Sequence, residues 1–222
     1  MDRPFLLLAS ASPRRRRLLA WLGVTYDVTA TEADEDLGSP LRSLPPVLAR
    51  SLAADKARAA RVHRPDADLI VACDTIVVLD RQVLGKPVDE SDAWRMLRAL
   101  SGRTHDVVTG VALFGESDTE PRTFAVTTPV EMRALDDTAI AEWLRSGEAM
   151  GCAGAYNIER MLASVDEGEC YQNVAGLPLC HLCAQLGRLG APELRSPIAE
   201  CDASRGVSCT LGPQVCASPV SP

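Results

Sequence analysis

Nine of the eleven residues from 69 to 79 are apolar, and the two that are not, Asp74 and Thr75, sit side by side in the middle. Such a run, rich in branched aliphatic side chains, reads as a strand of a sheet interior. An ionised carboxylate there is costly unless it is paired or bound to a cation. Asp74 is therefore either a strand-end carboxylate capped by backbone amides or a functional group.

Around this strand the pattern alternates. Residues 5–9 read as a short buried strand and residues 12–22 as a helix, with Ser12 as N-cap, Pro13 at the first helical position and Gly23 beyond the end. Residues 26–29 read as a second strand and 45–62 as a long alanine-rich helix. Asp80, Arg81 and Gln82 make a turn into Val83 and Leu84. Asp89 caps a helix through Leu100, with Gly102 as its stop. Residues 107–114 and 123–132 are paired strands, 137–145 a short helix, 161–165 a strand and 178–189 a closing helix. The order predicts one α/β or α+β domain with a mixed sheet flanked by helices. Beyond Gly190 the texture changes to Pro, Ser, Gly and Cys without an aromatic residue, so the chain divides into a domain over 1–189 and a flexible appendage over 190–222.

The 222 residues carry a formal net charge of −7. That balance argues against broad binding to nucleic acid polymers, which needs an extended basic surface. An anion would have to be met locally. No apolar run reaches the length of a membrane span, and residues 5–9 are too short for an export signal core. The expected location is the cytoplasm, and the eight cysteines are expected to be thiols.

Of 23 cationic side chains only Lys56 and Lys86 are lysines. In so arginine-biased a chain a retained lysine marks a position where a compact ammonium serves and a planar guanidinium does not, or else is simply what the bias left. Lys56 shares a helical face with Leu48 and Leu52, and Lys86 lies in the bend Gly85-Lys86-Pro87. Ser10, Ala11, Ser12 and Pro13 precede four arginines, Arg14 to Arg17, at a strand-to-helix junction. A first helical turn favours acidic side chains, so four cations there are either a solvated basic turn or one arm of a phosphate site where amides, hydroxyls and guanidinium groups converge. Glu32, Asp34, Glu35 and Asp36 form an acidic stretch, one member of which can complete a hard-cation site with Asp74. His63, His105 and His181 lack the spacing of a zinc hydrolase helix, so oxygen ligands point to Mg²⁺ or Mn²⁺.

Taken in order, Ser10-Ala11-Ser12-Pro13-Arg14-Arg15, Asp34-Glu35, Lys56, Cys73-Asp74-Thr75, Leu84-Gly85-Lys86-Pro87, residues 100–105, Ala153-Gly154-Ala155-Tyr156 and Gly176-Leu177-Pro178-Leu179 resemble the Maf family of nucleoside triphosphate pyrophosphatases. The resemblance covers about residues 5–189. It implies an α/β fold of the Maf and inosine-triphosphatase type, a deep nucleotide cleft, a homodimer and a divalent metal cation. The activity it implies is hydrolysis of a nucleoside triphosphate to a monophosphate and pyrophosphate, a house-cleaning of nucleotide pools. On this reading Asp74 is catalytic, Glu35 and Asp74 hold the metal, and Ser10, Arg14, Arg15, Lys56 and Lys86 gather the phosphates.

Specificity in the family is implied at the positions of Arg14, Thr75 and Glu159. The branch acting on dTTP and UTP typically has glutamine at the last of these, and the branch acting on 7-methyl-GTP has glutamate. This chain mixes the two, since Arg14, Thr75 and residues 101–105 look like the first branch and Glu159 like the second. An intermediate specificity is a third reading. Gly151-Cys152 and Arg160 also depart from the family pattern. They motivate an alternative of another class, a nucleotide-binding regulator of cell division that no longer hydrolyses. A nucleotidyltransferase is a further alternative. Cys180-His181-Leu182-Cys183 is expected to pack in the closing helix rather than bind zinc, because Leu179, Leu182, Leu186 and Leu189 form an apolar stripe there.

Overall fold

The computed structural model describes residues 6–30, 40–191 and 193–217. Strand β1 (Leu6–Ala9) leads into helix α1 (Pro13–Ala20), strand β2 (Tyr26–Thr29) and the long helix α2 (Pro45–His63). Then come β3 (Leu69–Leu79), β4 (Gln82–Leu84), α3 (Glu90–Leu100), β5 (Thr104–Gly115), β6 (Arg122–Met132), α4 (Asp137–Leu144), β7 (Ala163–Ser164), the single turn α5 (Tyr171–Val174) and α6 (Leu179–Arg188). The strands form one seven-stranded mixed sheet in the order β2-β1-β3-β5-β6-β7, with β4 added to β3. β1 runs parallel to β2 and β3, and the remaining pairs are antiparallel.

The two faces of β3 are covered by different layers, as period-two alternation requires. Val71, Cys73, Val77 and Leu79 join the large core that includes Leu18 and Leu19 of α1 and Leu182 of α6. Ile70 and Ala72 instead pack with Ala53 and Ala57 of α2, and Ile76 and Val78 with Leu48 and Leu52 of the same helix. Helix α2 lies so close to the sheet that a Cβ on Gly110 would stand 2.0 Å from the Ala49 carbonyl oxygen. Gly110 is the β5 partner of Asp74.

The pairing of β3 opens a gap that positions the site. β1 pairs with residues 69–72 and β4 with residues 77–79, both on the same edge. Residues 73–76, Asp74 and Thr75 among them, are thus left between two strand ends. The chain passes from β1 to β2 through α1 on one face of the sheet, and from β2 back past β1 to β3 through α2 on the other, so the strand order reverses direction at β1. Ligand crevices of open α/β sheets form at such a point, beyond the carboxyl end of the strand.

Local signals account for most of the element boundaries. Ser12 caps α1 by accepting from the Arg15 amide, Asp89 caps α3 through the Asp92 amide, and Asp136 caps α4 through the Ala139 amide. The expected strand over 161–165 shrinks to Ala163–Ser164, because Met161 takes a left-handed conformation (φ 58°) that breaks the extended run. The segment after Gly190, expected as an unordered appendage, carries two more helices, α7 (Ile198–Arg205) and α8 (Leu211–Ala217). Its thiols do the packing that its missing aromatics do not: Cys201 is buried, and Cys180 and Cys209 flank Gly212 of α8. Gln172 of α5 also donates to the Ser204 hydroxyl at 3.1 Å. All eight cysteines are free thiols.

Candidate active site

Ser10 follows the last residue of β1, and Arg14 and Arg15 lie in the first turn of α1. Both segments open onto a cavity of about 1050 Å³ at the gap in the sheet edge. Lys56 of α2, Asp74 and Thr75 of β3, Lys86 after β4 and Glu159 line the same cavity. Seven of the eight residues other than Glu35 come from four segments far apart in sequence, and the fold brings all eight together. Glu35 and its acidic neighbours lie outside the described residues.

Asp74 is 3% exposed and faces α2, where it forms an ion pair with the Lys56 ammonium, itself only 9% exposed. The helical spacing that puts Leu48, Leu52 and Lys56 on one face explains the meeting. Leu48 and Leu52 bury against the sheet, and the third member of the stripe reaches the carboxylate. Two charges so poorly hydrated need each other, because the desolvation cost is offset only while both are present.

Thr75 points to the other face of β3. Its Oγ1 accepts a hydrogen bond from Arg15 Nη2 at 3.0 Å and lies 2.9 Å from Thr109 Oγ1. Arg15 also donates through Nε to the Gly176 carbonyl at 2.8 Å and through Nη1 to Ser10 Oγ at 3.4 Å. Gly176 adopts φ +103°, open to glycine at no steric cost, and so turns its carbonyl to the guanidinium.

The four arginines of residues 14–17 take four different directions. Arg14 sets both terminal nitrogens 3.4 Å from Cys152 Sγ. Arg15 is clasped as described. Arg16 is exposed and donates to the Ala11 carbonyl. Arg17 pairs with Glu159 across the cavity rim. Glu159 is thus an engaged carboxylate rather than a freely solvated one. On the same rim Glu148 accepts from Asn157 Nδ2 at 3.1 Å and pairs with Arg160, whose guanidinium holds the Glu148 carboxyl below the usual range.

Lys86 is placed by its bend: the Gly85 carbonyl accepts from the Gly154 amide at 2.9 Å. Gly154 has φ +67° and approaches Val77 so closely that a Cβ would meet Cγ2 at 2.9 Å. Only glycine fits there, which ties Lys86 to the turn around Tyr156. Tyr156 lines the cavity and its hydroxyl lies 2.7 Å from Nε2 of the buried His105. Burial holds His105 down to about 4 and so keeps the imidazole neutral. Cys73 is no nucleophile here, since burial pushes its thiol up to about 11.

Sequence reasoning missed Thr109, Asn173 and the rim pairs. Thr109 and Asn173 lie in stretches that read as ordinary strand and loop, and nothing in their spacing to Thr75 marks a contact. Arg17 was visible only as one of four cations. Among the described residues no group of three His, Cys, Asp or Glu side chains is disposed to hold a metal ion, and no helix is long and apolar enough to cross a membrane.

Curated relatives place this geometry in context. The chain is 42% identical over 196 residues to the dTTP/UTP pyrophosphatase of Geobacter sulfurreducens, covering 86% of this chain and 100% of the relative. It is 41% identical over 191 residues to the dTTP/UTP pyrophosphatase of Syntrophomonas wolfei, covering 85% and 100%. The protein of that name from Myxococcus xanthus is 42% identical over 196 residues, covering 86% and 95%. The family model described as Maf-like protein matches residues 5–189, which hold every site residue discussed above and end just before the two terminal helices. By that match and by these relatives, the chain belongs to the Maf family.

Proposed function

We propose that this protein hydrolyses a nucleoside triphosphate to the monophosphate and pyrophosphate, with dTTP and UTP as substrates. The observation that carries the reading is the meeting of Arg14, Arg15, Lys56 and Lys86 around a cavity whose buried carboxylate is Asp74. A chain of net charge −7 that gathers cations at one gap in its sheet has built a local site for a polyanion. The relatives' names supply the bases.

In this mechanism Arg14 and Lys86 hold the β- and γ-phosphates, and their charge stabilises the departing pyrophosphate. Asp74 orients a water molecule for attack on the α-phosphorus and accepts its proton as the bond to the bridging oxygen breaks. Lys56 aims Asp74 by donating to Oδ1. The protein excludes bulk water from this pair by burying both partners.

A divalent cation fits the donor set, because Asp74 offers hard carboxylate oxygen at the cavity wall and Mg²⁺ is typically held by one or two carboxylates together with substrate phosphates. Asp74 would hold it together with the substrate phosphates, and Glu35, the second ligand expected from the sequence, lies outside the described residues. When bound, Mg²⁺ or Mn²⁺ supplies charge neutralisation on the phosphate oxygens.

The test is pyrophosphate release in water from a panel of dTTP, UTP, 7-methyl-GTP and the other common triphosphates with Mg²⁺ or Mn²⁺. Release from dTTP and UTP, one pyrophosphate per monophosphate, is the expected result. Preference for 7-methyl-GTP would transfer the specificity reading to Glu159. Submillimolar binding without product from any triphosphate would replace the enzyme with a nucleotide-binding regulator. Turnover only with an added acceptor would make it a transferase.

A further inference from the structure

Behind the cavity runs a chain of hydroxyl groups whose hydrogens have only one consistent arrangement. Thr109 Oγ1 lies 3.0 Å from the Asn173 carbonyl oxygen, which can only accept, so Thr109 donates there. Its single proton is then spent. In the 2.9 Å contact between Thr75 Oγ1 and Thr109 Oγ1 the proton must come from Thr75. Thr75 is left with lone pairs alone, and one of them accepts from Arg15 Nη2. Every step runs the same way: guanidinium to Thr75, Thr75 to Thr109, Thr109 to Asn173.

The chain closes into a ring. The Asn173 carbonyl also accepts the Gly176 amide at 3.0 Å, and the Gly176 carbonyl accepts Arg15 Nε at 2.8 Å. Asn173 is fixed in turn by its side chain, whose Nδ2 lies 3.1 Å from each of the Val107 carbonyl, the Val126 carbonyl and Thr128 Oγ1. Thr109 and Asn173 have no exposed surface at all. Neither lines the cavity.

We infer that Thr109 is a positioning residue for the substrate cavity: it fixes the Thr75 hydroxyl as an acceptor and thereby locks the Arg15 guanidinium in place before ligand arrives. The physical reason is that a hydroxyl hydrogen rotates freely. Without an acceptor behind it, the Thr75 hydrogen swings toward other lone pairs, and Arg15 loses a partner of fixed polarity. A free arginine also carries rotamer entropy that binding must then remove. A second consequence concerns the ligand. Any ligand atom hydrogen-bonded to Thr75 Oγ1 must bring a hydrogen, so a phosphate oxygen is disfavoured there and an N–H of the base or an O–H of the sugar is favoured.

This inference rests on the polyanion-site reading above, and its test is chosen to stand apart from hydrolysis. Binding of inorganic tripolyphosphate, measured by calorimetry, is compared for wild type, Thr109→Val, Thr109→Ser, Thr75→Val and the double variant Thr109→Val with Thr75→Val. Valine keeps the shape and removes the hydroxyl, whereas serine keeps the relay. Thr109→Val is expected to weaken binding roughly tenfold, the scale of one lost hydrogen bond, and Thr109→Ser to stay within about twofold. In the Thr75→Val background Thr109→Val should cost less than about twofold, because the relay is already cut. An equal loss in both backgrounds overturns the inference, as does a tenfold loss in folded Thr109→Ser, which remains informative even if the valine variant does not fold. If wild type binds tripolyphosphate but releases no pyrophosphate from any triphosphate, the functional reading fails and the relay is still tested.

Discussion

Asp74 and Thr75 are neighbours in sequence, yet β3 turns them to opposite faces, and the two faces hold a cation by different physics. Asp74 meets Lys56 charge to charge, both nearly removed from water. Thr75 meets Arg15 through a neutral hydroxyl backed by Thr109 and Asn173. The first arrangement stores a large penalty for removing either partner. The second sets direction at small cost, since the Thr75 and Thr109 hydroxyls and the Asn173 backbone carbonyl are all hydrogen-bonded and none of the groups but the arginine is charged. On the proposed mechanism one face supplies the reactive carboxylate, and the other supplies a fixed frame around it.

The sharpest way to break the comparison is Asp74→Asn. The amide cannot take a proton from water, so turnover is expected to fall at least about a hundredfold while circular dichroism reports a folded protein. Full activity in that variant removes Asp74 from the mechanism. Next comes Lys56→Met, which leaves a buried carboxylate without its ammonium. A loss of about 3 kcal/mol is expected, on the order of 10 °C in Tm by scanning calorimetry. Thr75→Val should cost visibly less, about 1 kcal/mol, and a loss equal to that of Lys56→Met would erase the distinction between the faces.

A third arm uses pH, and the group concerned belongs to neither face. His105 takes its proton near 6.5 when unfolded and at about 4 when buried in the fold. Between those values the unfolded chain binds more protons, so stability is full above about pH 6.5 and declines as pH falls toward 4. Denaturant titrations across that window should flatten in His105→Gln. An unchanged slope would show that other groups carry the acid sensitivity.

The smallest effects belong to the rim. Lys86→Arg is expected to raise KM several-fold with little change in Tm, and wild-type kinetics would show that an ammonium is not specifically required. Glu159→Gln breaks the pair with Arg17, in which the two side chains are 31% and 51% exposed, so stability should move by no more than about 0.5 kcal/mol. Its measurable consequence is a shift in the ratio of kcat/KM for UTP over 7-methyl-GTP.

The amino-acid sequence by itself determined the strand-and-helix order, the helix caps at Ser12 and Asp89, and the anomaly of a carboxylate within an apolar strand. These are local facts, written in periodicity and in what a buried charge costs. It also singled out Lys56 and Lys86 by their rarity. What it did not contain was the division of labour among Arg14, Arg15, Arg16 and Arg17, which look alike in sequence and differ only in what each side chain reaches. Nor did it show the relay, whose members stand 34 and 64 residues apart in the chain. Such contacts follow from sheet register and from the seating of α5 on β5, and no local pattern encodes either. The last helices make the same point: composition alone argued for disorder after Gly190, whereas burial of Cys201 and the docking of α8 on α6 depend on a surface that exists only once the domain has folded.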